Sequence, residues 1–98
     1  MTTVSKSTLL HIVVQGRVQG VGFRYHTENA ARRYGVCGWV RNLATGEVEI
    51  LARVPGGEQS PFVEAVRKGP PLAHVVRVRI EPGADDAQCP TRGFSSRN

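Results

Sequence analysis

The sequence predicts an α/β (α+β) sandwich, one sheet with two helices on a single face, in the order β-α-β-β-α-β. Three observations point to it. Thr8–Gln15, Glu47–Val54 and Ala73–Glu81 alternate apolar and polar residues, the period of strands with one buried face. Phe23–Tyr34 and the segment after Ser60 place apolar residues three and four apart, the spacing of helices with one buried stripe. Glycine or proline punctuates the junctions between these segments.

Taken in order, the first strand puts Leu10, Ile12 and Val14 on one face and His11 and Gln15 on the other. A glycine-rich segment follows, Gly16 to Gly22. The first helix then aligns Phe23, Thr27, Ala30, Ala31 and Tyr34 on one stripe. Arg32 and Arg33 fall in its last turn, where the dipole favours cations, and Gly35 suits the position just past its end. Val36–Asn42 and Glu47–Val54 form two strands joined across Asn42–Gly46, a length and composition suited to a hairpin. Ser60 and Pro61 read as N-cap and first residue of the second helix, with Phe62, Val63 and Val66 inward and Gly69 ending it. Pro70 and Pro71 block continuation. The last alternating strand sets Val76, Val78 and Ile80 on one face, and Phe94 in the turn-rich tail is a candidate anchor for a fifth, edge strand. This order defines a ferredoxin-like fold with an antiparallel sheet. The whole chain, residues 1–98, reads as one domain, with its core at about 8–81 and a C-terminal edge segment at 82–98.

Composition removes several functions. With 40% hydrophobic and 21% charged residues, the chain is neither a disordered tail nor a fibrous repeat. Apolar runs such as Ile12-Val13-Val14 fall far short of the ~20 residues of a membrane span. The N-terminus lacks the long apolar stretch and cleavage site of a signal peptide, so a cytoplasmic location is expected. Cys37 and Cys89 stand far apart without a CxxC, and His11, His26 and His74 are isolated, so no metal site is expected and the thiols are expected reduced. The net charge of +5, with eleven arginines among thirteen cations, favours an anionic partner. The arginines are scattered rather than gathered into a basic tract.

The glycine-rich segment fails two phosphate-binding patterns. Counting a P-loop from Gly16 puts Val21 where the second glycine belongs, and a dinucleotide fingerprint from Gly20 meets Tyr25 at its third glycine. A simpler arrangement survives. Glycines before a helix N-terminus let successive N–H groups converge on an anion, and Arg24 in the first turn can add a guanidinium. In the predicted topology the first two strands are parallel with the third between them. Asn42 then lies beside the 19–24 loop, two strand spacings or roughly 9.6 Å across. On these residues alone the loop is a candidate anion site or merely a tight turn, and Asn42 a candidate ligand or a turn residue.

Four segments, Gly16-Arg-Val-Gln-Gly-Val-Gly-Phe-Arg24, Gly38-Trp-Val-Arg-Asn42, Gly46-Glu-Val-Glu49 and Gly69-Pro-Pro-Leu-Ala-His-Val75, resemble those of the acylphosphatase family in the same order. The resemblance runs from about Leu9 to Ile80. It implies hydrolysis of the carboxyl–phosphate bond of small acyl phosphates, with neither metal nor other cofactor. It makes Arg24 and the backbone amides of Gln19, Gly20, Val21, Gly22 and Phe23 the phosphate cradle, and Asn42 the holder of the attacking water. Acetyl phosphate, 1,3-bisphosphoglycerate and carbamoyl phosphate are the candidate substrates, and a monomer is expected. Two departures touch the frame and leave these positions intact: Thr45 stands where the family usually has Asp before the hairpin glycine, and the 54–69 segment is a little short. Two other readings compete. A non-catalytic anion-binding regulatory domain needs only the cradle. An RNA-binding ferredoxin-like module needs aromatics on its central strands, and strands one and three have none, so no nucleic acid is expected.

Overall fold

A computed structural model describes residues 7–84 and 86–97. Residues 1–6 and 98, at the two ends of the expected single domain, and residue 85 within it lie outside the described residues. The elements are β1 (Thr8–Arg17), α1 (Phe23–Tyr34), β2 (Cys37–Asn42), β3 (Val48–Val54), α2 (Gln59–Lys68), β4 (His74–Pro82), a 3-10 turn at Asp86–Gln88, and β5 (Phe94–Arg97). The sheet order is β4-β1-β3-β2-β5. β3 pairs antiparallel with both β1 and β2, so those two strands run the same way and end on the same edge. This is the α+β ferredoxin-like arrangement the sequence predicts.

The core lies between the sheet and the helices. Ile12, Val14, Val40, Val48, Ile50, Ala52 and Val54 supply it from the sheet, and Phe23, Ala30, Ala31, Phe62 and Val66 from the helices. Each buried valine, isoleucine or phenylalanine among them contributes about 1.5–3 kcal/mol relative to exposure, and each alanine methyl about 0.8 kcal/mol. The alanines of α1 let that helix lie close to the sheet, and Thr27 satisfies its buried hydroxyl by donating to the Phe23 carbonyl at 2.9 Å. His26 donates through Nε2 to the Ala65 carbonyl at 2.8 Å and so ties α1 to α2.

Three expectations are corrected. The sheet is mixed: β5 runs parallel to β2. β4 and β5 occupy opposite edges, so the chain must cross the open face, where Cys89 packs on Trp39 and Leu51. β4 is antiparallel to β1 and hence to β2, and the one reversal after this crossing delivers β5 in the direction of β2. Secondly, Val76 does not share a buried face with Val78 and Ile80. The β1–β4 register passes from Gln15↔Arg77 to Gly16↔Val75, leaving Val76 as a bulged extra residue that is 69% exposed. The bulge shifts the alternation, so Val75 and Val78 pack on the core, while Ile80 is 39% exposed. Thirdly, α2 starts at Gln59 with Glu58 as its cap residue, rather than at Pro61 after Ser60. Proline is tolerated through the first turn, whose N–H groups have no helical acceptor, so Pro61 does not fix the start.

Candidate active site

The cleft is built where β1 hands over to α1. Gly20 (φ 74°) and Gly22 (φ 83°) both take left-handed conformations, which a side chain would strain. No heavy atom lies within 4 Å of where a Cβ would sit on either, so the backbone here faces open space. Gly22 is the cap residue of α1, without any side-chain capping bond, and the first turn carries no acidic residue. The positive end of the helix dipole is therefore left for an outside anion.

A cavity of about 330 Å³ opens at this point. Gly20, Gly22, Phe23 and Arg24 line it from the loop and first helical turn, and Asn42 lines it from the end of β2. The sequence separates Asn42 from Arg24 by most of a helix and a strand, and the fold brings both to one cleft. Arg24 is half-buried, and its Nη1 donates to the Arg97 carbonyl at 3.4 Å, a long bond that leaves most of the guanidinium free for another acceptor.

Two residues of the expected cradle are placed differently from the other four. The Val21 side chain packs on the hydrophobic core. The Gln19 side chain points to the β2–β3 hairpin, where Nε2 donates to the carbonyls of Leu43 at 2.8 Å and Glu47 at 2.9 Å. Neither side chain lines the cavity. Sequence reasoning missed Glu28, Tyr25 and Ser96, which do line it. Glu28 lies four residues after Arg24, one helical turn further along the same face, and that spacing could have found it. Its carboxylate accepts a hydrogen bond from the Ser96 hydroxyl. Ser96 has no such signal, because it enters only through the parallel return of β5.

On the opposite face of the sheet, Glu49 accepts from Arg41 at 2.6 Å and from His11 at 2.7 Å. Burial pushes the Glu49 carboxyl up, and the hydrogen bonds from His11 and Arg41, with the Arg41 charge, more than offset this and hold it below its ordinary value of 4.5. Trp39, the aromatic of this face, is only 4% exposed. It lies under the guanidinium groups of Arg41 and Arg97, and its Nε1 donates to the Gln88 carbonyl. Among the described residues no group of three or more His, Cys, Asp or Glu side chains gathers as a metal site would need, and Cys37 and Cys89 are not joined in a disulfide. No described helix is long and apolar enough to cross a membrane.

Known proteins share both the sequence and the fold. Residues 10–95 match the family model described as Acylphosphatase. An acylphosphatase of Bacillus velezensis is 52% identical over 71 residues, 72% of this chain and 79% of that protein. The crystal structure of acylphosphatase from Bacillus subtilis superposes with a TM-score of 0.82 at 37% identity, covering 92% of this chain and 98% of that one. A structure of an acylphosphatase from Coxiella burnetii does so with a TM-score of 0.84 at 33% identity, covering 94% of each. On its sequence and on its fold, the chain belongs to the acylphosphatase family.

Proposed function

We propose that the cleft hydrolyses small acyl phosphates to a carboxylate and inorganic phosphate, with Arg24 and the backbone amides of residues 19–23 holding the phosphate and Asn42 orienting the attacking water. Acylphosphatase activity belongs to the family, and the roles are those the resemblance implies for these positions. The observation that supports it is the shared lining of one cavity by Gly20, Gly22, Phe23, Arg24 and Asn42.

Phosphoryl transfer asks a protein to position groups and to neutralise charge on the equatorial oxygens. A guanidinium and an uncapped helix N-terminus are suited to that. Asn42 cannot take a proton near neutral pH, but its amide can accept from and donate to a water and so fix its line of attack. The water oxygen bonds to phosphorus as the bond from phosphorus to the acyl oxygen breaks, and a water proton passes to the phosphate. The bonding pair leaves on the acyl oxygen as a carboxylate, whose conjugate acid has a pKa of about 4 and needs no protonation to depart. An alkoxide would need an acid, and His26, the nearest imidazole by sequence, spends its Nε2 on the Ala65 carbonyl. Acetyl phosphate, 1,3-bisphosphoglycerate and carbamoyl phosphate all meet this requirement. Benzoyl phosphate should turn over in EDTA while an alkyl phosphate such as glycerol phosphate does not. Equal turnover of both would refute the leaving-group argument.

Every residue of this reading comes from one chain, which suits a monomer. Two cysteines without a disulfide suit the reducing cytoplasm. The RNA reading needs an open aromatic on the sheet for stacking, and Trp39 of β2 is covered.

A further inference from the structure

We propose that the Gln19 carboxamide is a positioning residue that sets the cradle against Asn42, a role that rests on the reading of Asn42 given above. β1 pairs with β3 as far as Val14↔Val48, and β2 pairs with β3 as far as Asn42↔Val48. Beyond that rung Gln15, Gly16 and Arg17 pair with β4 instead, and the loop leaves the hairpin behind. Among the described residues, the hydrogen bonds that rejoin them are the two from Gln19 Nε2, to Leu43 O at 2.8 Å and Glu47 O at 2.9 Å.

The chemistry of this strut is specific. Both acceptors are carbonyls, so the NH₂ end must face them, and it uses both of its N–H bonds. Leu43 directly follows Asn42. The same two carbonyls close the hairpin, since Leu43 N–H donates to Glu47 O at 2.8 Å and Gly46 N–H to Leu43 O at 3.1 Å. One side chain of the phosphate loop therefore grips the turn that presents Asn42. The phosphate is held by the loop and the water by the hairpin, so the strut fixes the approach of one to the other. Misplacement by about 1 Å can cost about 100-fold in rate. Ground-state phosphate binding needs the loop alone.

The test is a double-mutant cycle on benzoyl phosphate with Gln19→Met and Asn42→Ala, read with thermal unfolding and competitive inhibition by inorganic phosphate. Gln19→Met should lower kcat by about 10- to 100-fold and leave the phosphate inhibition constant within about twofold. In the Asn42→Ala background it should lower kcat by less than about twofold, because no held water remains to misplace. Gln19→Leu removes the donors without adding charge and should behave like Gln19→Met, so it serves if the methionine variant fails to fold. An equal loss of kcat in both backgrounds, or a phosphate constant that rises with the loss of rate, overturns the role of Gln19 and leaves that of Asn42 standing. An Asn42→Ala variant as fast as the wild type overturns the reading of Asn42 itself and the Gln19 role with it.

Discussion

Val14 and Asn42 flank Val48 on one rung of the sheet, each paired with it from opposite sides. The rung sets the span of the cleft: β1 departs towards the glycine loop on one side and β2 ends in Asn42 on the other. Two strand spacings, about 9.6 Å, separate the backbones there, room for a phosphate and one water. Val48 is fully buried, so this span is fixed by the core rather than by loops.

The backbone at Gly22 should matter for conformation and not for space. A Cβ would meet no atom within 4 Å, but φ of 83° strains any L-residue. Gly22→Ala should lose about 1 kcal/mol of stability by denaturant titration. Gly22→Asn, which tolerates the left-handed region, should lose less. An alanine variant of full stability that binds inorganic phosphate as the wild type does would show that the loop relaxes freely.

Glu28 lines the cavity proposed to hold the phosphate. Its neutral isostere Glu28→Gln should tighten inhibition by inorganic phosphate about two- to fivefold, the Coulomb term at partly solvated range. The gain should shrink as ionic strength rises. Weaker binding would mean that the contact with Ser96 orders the cleft more than the charge opposes the ligand.

Acid stability should report Glu49. Its folded pKa lies below the ordinary 4.5, so its contribution is whole above that pH and is lost as pH falls through the lower, folded value. The melting temperature of the wild type should therefore decline on the acid side of 4.5, and Glu49→Gln should flatten that limb. The variant should also be less stable near neutral pH, since Arg41 and His11 lose their shared acceptor. An unchanged acid limb would place the effect elsewhere.

Local signals in the sequence reach most of this fold. Leu10, Ile12 and Val14 announce β1 because period two is a property of a strand buried on one face. The glycines before Phe23, and the shared direction of the first two strands, bring Arg24 and Asn42 together from the sequence alone. What escapes is what depends on register or on distant chain. Alternation alone cannot reveal the extra residue that turns Val76 outward. The direction of β5 follows from a path across the open face and a single reversal, neither written in Phe94 itself. Gln19 reads as one more member of the loop, and only the placed hairpin shows what its amide grips.

In the proposed reaction Arg24 holds the phosphate and Asn42 the water, and kinetics of the two alanine variants on benzoyl phosphate separate the two roles. Both should lose about 10³ or more in kcat/KM. Inhibition by inorganic phosphate should weaken strongly in Arg24→Ala and stay near the wild-type value in Asn42→Ala. A variant at either position that keeps its rate within about tenfold of wild type, well short of the loss expected for a group acting in the transition state, would contradict the account.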